Sequence, residues 1–395
     1  KNERIRLRGQ DYTKTIKHGG FVFVHDLLSV TGEFTTQPFV DDGIICLYNG
    51  EIYNHQFKRS DGEVLIPLYK KYGTDFPKYL DGEFAIALYD FNSGRALFAT
   101  DPFKTKPLFI NGLECASYRS GVGGNKAAPN EILVKDFDNN VIEKKATHEW
   151  EWTQHKNTYD DWLRAFKESI RKRAKNNCFI GLSSGYDSGA IACELLNQDI
   201  DFKAYSYIGT EDPKVLATRA SFVDHEYFEP NMELMDFLKE NTDNEPYTIK
   251  YNGKMTDYTF HTEGGSLGVA TFCDLAHKEG RKVCLSSQGA DEIMSDYAPF
   301  PDQSELVNGF PENLKPWYNF NKGCQESYLI KEEYAGGAFN IETRYPFLDK
   351  QLVQEFLWLS QDLKNKHYKA PLREYLEINN FPYEEGSKRG FSVFI

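Results

Sequence analysis

The run NNCFIGLSSGYDSGAIACELLNQ (176–198) sets an apolar strand-like segment, a turn of small and hydroxyl-bearing residues, and a helix-like segment in immediate succession. A strand that empties directly into a helix is half of a βαβ unit, and such units build parallel sheets covered by helices. The rhythm continues. FKAYSYIG reads as a strand, a helix follows from about Lys214, and FCDLAHKEG then KVCLSS repeats helix before strand. The end of the chain reads as mainly helical. Small residues at the 182–189 turn let the backbone approach a ligand closely, and the N–H groups opening the next helix favour an anion. A tight turn with a capped helix would use the same residues.

The chain before this point has a different pattern. GFVFVHDLLSV, GIICLYNG, FAIALYDF, ALFATD and EILVKDF are β-rich runs separated by DDG, FNSG and GVGGN, the last read as a hairpin turn. One helix interrupts them, DGEVLIPLYKKYG, with Val64, Leu65, Leu68 and Tyr69 on one face and a terminal glycine. A polar stretch, EKKATHEWEWTQHKN, marks the boundary, so the expected domains are 1–150, a mostly antiparallel sheet with few helices, and 151–395. The second opens on TYDDWLRAFKESIRKRA, with Trp162, Phe166 and Ile170 four apart and Thr158 and Asp161 spaced as a capping box.

A formal charge of −13 with no basic block beyond RKRAK argues against nucleic acid. No apolar run reaches the ~18 residues of a membrane span, and KNERIRLRGQ lacks a signal-peptide core. The seven cysteines form no CxxC pair and mostly sit in apolar runs, and the nine histidines miss zinc-site spacings. They read as buried thiols of a reducing cytoplasm.

A phosphate is the anion that best suits the turn. Ser183, Ser184, Gly185 and Ser188 offer hydroxyl and backbone donors, and no Walker A motif competes for the role. Asp187 would repel a phosphate unless a cation stood between them, which suits Mg²⁺ held by carboxylates and phosphate. VCLSSQGADEIM supplies a second strand-to-turn junction and a second carboxylate, Asp291. Two strand tips could thus clamp one metal–triphosphate. Two ordinary turns with aspartate caps would read the same way.

Taken together, the motifs resemble the asparagine synthetase B family. LSSGYDS resembles its SGGxDS pyrophosphate loop, LSSQGADE its LSGEGADE, IETRYPFLD its ExRxPFLD, KAPLREYL its KxxLR, and SKRGFSV its RxKxGF. Upstream, NGEIYNH, DGEFAIALYD and DPFKTKPLF resemble the glutaminase half. The resemblance implies an α/β and α+β protein of two domains, an Ntn-type antiparallel domain followed by a parallel-sheet PP-loop domain. It implies ATP and Mg²⁺ as cofactors, adenylation of a carboxylic acid such as aspartate, and amide formation with ammonia or another amine. By position, Asp187 and Asp291 would hold Mg²⁺, while Ser183, Gly185 and Ser188 would bind pyrophosphate. Leu182, Ile208, Ser286 and Ser287 would line the nucleotide. Lys388 and Lys369 would face phosphates, and Glu342 would assist deprotonation of the amine. The bland alternatives are a helix-surface Glu342–Arg344 pair and a solvated Lys388.

Several positions depart from the family. Ser184 replaces a glycine. Gln288 stands where asparagine synthetases carry Glu and the β-lactam synthetase branch Tyr, so a specialised ring- or amide-forming enzyme is the second reading, and a silent scaffold the third. In the first half, Asn49 and Gly50 match the oxyanion hole and Asp81 the position contacting the glutamine amine. The sequence starts at Lys1, so a nucleophilic terminal cysteine would need a preceding segment, and Cys46 cannot supply one. VHDLLSV puts Asp26 and Leu27 where the family's arginine grips the glutamine carboxylate. The half is expected to be inactive on glutamine. A homo-oligomer is compatible with this reading.

Overall fold

The computed structural model describes residues 3–384 apart from 210, 252–253, 298–303, 305 and 307. The chain divides into two compact units, Lys1–Glu149 with Asn241–Asp243, and Trp150–Glu240 with Asn244–Ile395.

The first unit is built on a six-stranded antiparallel sheet. Its order is Val141–Lys145, Ile132–Asp136, Arg95–Thr100, Gly82–Asp90, Ile44–Ile52 and Phe39–Asp41. Strand Gly82–Asp90 is buried nearly throughout, which explains why FAIALYD lacks polar alternation: both faces are covered. Phe84, Ile86 and Leu88 point to one side, where Leu65, Ile66 and Phe76 pack on them. Ala85, Ala87 and Tyr89 point to the other, beneath Phe23 of the hairpin Tyr12–His18/Phe21–Leu27. The predicted helix at DGEVLIPLYKKYG begins as a 3-10 turn, Asp61–Val64, and becomes α-helical at Leu65–Tyr72. GVGGN is not a hairpin turn. Its first residues close a short helix, Arg119–Val122, and Gly123 ends it in the left-handed region at φ 65°.

The second unit holds a five-stranded parallel sheet, ordered Asp224–Tyr227, Phe202–Ser206, Cys178–Gly181, Val283–Leu285, Glu342–Arg344. An antiparallel sheet first and a parallel one second is the division the sequence predicts. Helix Asp160–Arg173 buries Trp162, Phe166 and Ile170 as their spacing requires, and Phe166 stacks on Phe347 at 5.6 Å. The capping box does not form: Thr158 Oγ1 donates to Asp160 (3.1 Å), while Asp161 is drawn to Lys156 (2.5 Å), a full charge that outcompetes a backbone N–H. No helix among the described residues is long and apolar enough to cross a membrane. All seven cysteines are free thiols, six of them buried.

The aspartate that closes PFLD is structural. Asp349 Oδ2 lies 2.8 Å from both Lys172 Nζ and Arg173 Nη1, and its Oδ1 caps helix Lys350–Trp358 at the N–H groups of Gln351 and Leu352. Burial alone would raise its pKa, but Arg173 and Lys172 outweigh that and hold the carboxyl down to about 2. A depressed carboxyl stabilises the fold above its unfolded pKa of about 4, and that contribution is lost as pH falls towards 2. Asp349→Asn should therefore cost about 3 kcal/mol in urea unfolding at pH 5. It should also flatten the dependence of the urea midpoint on pH between 4 and about 2. An unchanged slope in the variant would place the acid sensitivity elsewhere.

Candidate active site

Chain order and sheet order disagree at one place. The strands that follow Cys178–Gly181 add on one side of it until Val283–Leu285 pairs on the other, with Phe179 opposite Cys284. Ligands of open parallel sheets bind at the carboxyl ends of strands at such a switch point. Both small-residue turns leave from that point.

The first turn opens helix Tyr186–Asn197, with Gly185 as its N-cap. Ser188 Oγ accepts from the N–H of Ser183 (3.0 Å) and shares a 2.7 Å hydrogen bond with the Ser183 hydroxyl. Gly185 N–H donates to Ser183 Oγ (3.2 Å). Ser184 departs from the phosphate role expected of it. It is 1% exposed, its N–H and hydroxyl both donate to Glu211 Oε2 (2.6 and 2.5 Å), and its Oγ accepts from the N–H of Asp212. A hydroxyl so engaged from beneath cannot face a ligand above.

Arg219 supports the same turn. It is fully buried; Nη1 donates to the carbonyls of Ser183 (2.5 Å) and Gly185 (2.8 Å), and Nε to Pro382 O (2.8 Å). Burial lowers its pKa to about 10, opposed by Glu211, so it stays charged at neutral pH. Gly189 makes the room. A Cβ there would lie 2.3 Å from Arg219 Nη2.

The second turn follows Val283–Leu285. Ser286 N–H donates to Arg344 O (2.8 Å) and its Oγ accepts from Gln288 N–H (3.0 Å). Gly289 turns the chain at φ 99°, where a side chain would strike Leu348. Gln288 Nε2 reaches Glu292 (2.8 Å), and so does the Tyr297 hydroxyl.

The two turns meet on one ammonium group. Lys369 Nζ lies 2.5 Å from Asp187 Oδ2 and 2.8 Å from Asp291 Oδ1, and the Tyr368 hydroxyl donates to the same Asp291 oxygen (2.9 Å). Lys369 is 3% exposed. Burial disfavours its charge, but the carboxylates of Asp187 and Asp291 outweigh burial and push its pKa well up. Its backbone sits in the left-handed region at φ 47°, where a non-glycine residue is strained.

The remaining predicted positions scatter. Leu182 is buried, its N–H bonded to Tyr205 O, while Ile208 is half exposed beyond strand Phe202–Ser206 and Ser287 half-buried in the second turn. Glu342 is not on a helix. It opens the edge strand, in register with Val283, and pairs with Arg344 at 2.6 Å. Parallel register therefore sets it three residues short of the level at which Ser286 begins the turn. Lys388 lies outside the described residues.

In the first unit, Asn49 and Gly50 lie on strand Ile44–Ile52. Gly50 (φ 142°) comes so close to Glu83 O that a Cβ would sit 1.8 Å from it, and Asn49 Nδ2 is buried without a hydrogen-bond partner. Asp81 lies beyond that strand's end, its carbonyl accepting from Tyr53 N–H. Asp61 comes nearer: Oδ2 accepts from the Tyr48 hydroxyl (2.6 Å) and Ile52 N–H (2.9 Å), either side of Asn49–Gly50. Asp26 accepts from Thr13 Oγ1 (2.5 Å), and Leu27 is buried.

Sequence reasoning missed Glu211, Arg219, Tyr368 and Asp61. Glu211 and Arg219 sit in GTEDPKVLATRASF and look like solvated charges there. SDGEV held the only hint of Asp61.

Arg219→Met would keep the stem and delete the guanidinium. It should lower the unfolding free energy by about 3 kcal/mol. Hydrogen exchange at the amides of residues 183–185 should also quicken. Wild-type protection at those amides would remove Arg219 as the support of the turn.

A profile of the glutamine amidotransferase domain matches residues 1–160. Putative asparagine synthetase [glutamine-hydrolyzing] 1 of Methanocaldococcus jannaschii is 26% identical over 420 residues, spanning 93% of this chain and 73% of its own. Asparagine synthetase [glutamine-hydrolyzing] 1 of Saccharomyces cerevisiae is 26% identical, spanning 89% and 71%. The nodule asparagine synthetase [glutamine-hydrolyzing] of Pisum sativum is 25% identical, spanning 97% and 71%. A solved glutamine phosphoribosylpyrophosphate amidotransferase from B. subtilis aligns at a TM-score of 0.27 and 13% identity over 85% of this chain and 78% of that one, too slight a likeness to bear on the fold. With the amidotransferase profile over its first part and asparagine synthetases matching nearly its whole length, the chain is similar to the glutamine-hydrolysing asparagine synthetases.

Proposed function

We propose that the protein is an ATP-dependent carbon–nitrogen ligase. One oxygen of a carboxylic acid attacks the α-phosphorus of ATP, the bond to pyrophosphate breaks, and an amine then displaces AMP from the acyl-adenylate to give an amide. The observation that carries this reading is the meeting of Asp187 and Asp291, from two strand ends, on Lys369. A place where two carboxylates already share one cation is electrostatically suited to a second. Oxygen donors are what Mg²⁺ prefers, and they fit it here. Among the described residues no three His, Cys, Asp or Glu side chains form a metal site by themselves, so phosphate oxygens would complete the shell. When bound, Mg²⁺ supplies positive charge against the triphosphate.

The chain's own groups then divide the work. The N–H groups of the first turn and the Ser183 and Ser188 hydroxyls hold the leaving pyrophosphate at the start of helix Tyr186–Asn197. Lys369 carries a second fixed positive charge, and Lys388 is assigned a third from its place in SKRGFSV. Leu182, Ile208, Ser286 and Ser287 are assigned to the nucleotide. Glu342, held by Arg344, is the candidate for accepting the amine's proton. Gln288 favours one alternative, a specialised amide- or ring-forming synthetase, because its amide engages Glu292 in place of a family glutamate.

The first unit is read as unable to use glutamine. Leu27 replaces the carboxylate-gripping arginine with a packed apolar side chain, and Asp26 adds negative charge beside it. Cys46 offers no substitute nucleophile, since burial pushes its thiol pKa far up. Ammonia or another amine would then be the donor.

Pyrophosphate release from Mg-ATP, measured across a panel of carboxylic acids with ammonium or glutamine, tests this. Release with ammonium and none with glutamine is expected. Asp187→Asn and Asp291→Asn should each lower it by about 100-fold or more. Full activity in either variant would remove the paired-carboxylate site, and glutamine-driven turnover would overturn the reading of the first unit.

A further inference from the structure

Beyond Gln288 the second turn runs into a polar, aromatic cluster that the nucleotide chemistry does not use. Its centre is helix Gly323–Ala338. Cys324, Tyr328 and Lys331 recur there at i, i+4 and i+7, with Gln325 and Glu332 on the adjoining row. Hairpin Pro246–Tyr251/Lys254–Thr259 packs on this helix through Tyr247 and Tyr258, whose rings stack at 5.9 Å. Tyr297, which also hydrogen-bonds Glu292, closes the cluster 6.4 Å from the Tyr328 ring. Burial raises the pKa of Glu332, and the Ser286 hydroxyl of the second turn opposes it, which sets that turn beside the cluster.

Two properties need a ligand. First, Gln325 is fully buried with neither its amide nitrogen nor its oxygen bonded, and Tyr247, 9% exposed, has an unbonded hydroxyl. Each such atom costs about 1–3 kcal/mol unless something completes it. Second, carboxylates gather here. Among the described residues Glu263 and Glu292 act on Tyr328, and Glu263 and Glu333 on the buried Glu332, while Lys331, the cation that opposes them, is already taken by Glu263 (3.3 Å) and the Tyr328 ring (4.3 Å). A wall of tyrosine faces with surplus carboxylates attracts a cation and repels a second carboxylate.

We infer that this cluster binds the acid to be activated, and that this acid carries a cationic amino group on an aliphatic chain rather than the side-chain carboxylate of aspartate. The inference rests on the ligase reading for the word "activated". It rests on the cluster alone for the charge it selects.

The probes are L-lysine, L-norleucine and L-aspartate, with binding followed by thermal shift and pyrophosphate release measured separately. Lysine should raise the unfolding temperature without nucleotide, and its half-saturating concentration should be roughly tenfold or more below that of norleucine or aspartate. Glu263→Gln should weaken lysine by about tenfold. That residue also caps helix Gly264–Lys278, so Tyr247→Phe is the second variant. Its lost hydroxyl has no partner among the described residues; unliganded stability should hold while lysine affinity drops several-fold. Equal or better binding of norleucine or aspartate overturns the inference, and so does unchanged lysine affinity in Tyr247→Phe. Pyrophosphate release with aspartate alone would sink the cationic acid and leave the ligase. Lysine binding to a protein that Mg-ATP neither stabilises nor drives to release pyrophosphate would support the pocket and sink the ligase.

Discussion

One ammonium group, that of Lys369, organises the second unit's site. Two aspartates brought this close would repel each other strongly in a setting poor in water, and one would have to take up a proton. Lys369 permits both to stay ionised. It ties the end of strand Cys178–Gly181 to the end of Val283–Leu285 through a third element, the N-terminus of helix Ala370–Ile378. The left-handed backbone at Lys369 is the local strain that places the ammonium there. Tyr368 fixes the Asp291 carboxylate from the neighbouring position. The result is a negatively charged pair held in a defined geometry before any ligand arrives, which is the meaning of preorganisation.

Beneath the first turn, two small residues prove to be complementary to their surroundings. Serine at 184 in place of glycine adds a hydroxyl, and Glu211 meets it. Glycine at 189 removes a side chain, and the Arg219 guanidinium fills the gap. Arg219 then satisfies two turn carbonyls that would otherwise be buried without donors. The turn is thus braced from below, which leaves its upper surface unoccupied by these side chains.

The parallel sheet and both turns were legible in the sequence because they are local: apolar runs, small residues and helix periodicity sit side by side in the chain. The antiparallel unit was legible for the same reason, but the split of Phe84, Ile86 and Leu88 from Ala85, Ala87 and Tyr89 was not, because both faces of that strand are apolar. Long-range pairings were not. Nothing near Ser184 announces Glu211, and Arg219 resembles any surface arginine until the fold buries it. The capping box failed where a neighbouring lysine offered Asp161 a stronger partner. The Glu342–Arg344 pair could be guessed from its spacing, but its place on a strand, and so its level in the sheet, needed the topology.

The order of strands has a kinetic consequence. Cys178–Gly181 can find Phe202–Ser206 early, because a short helical crossover joins them. Its other neighbour, Val283–Leu285, arrives only after a loop of roughly a hundred residues has closed, a slow event on loop-entropy grounds. The junction of those two strands is therefore among the last features to form during folding. A chain halted midway would carry half a sheet with an open edge where the second small-residue turn belongs.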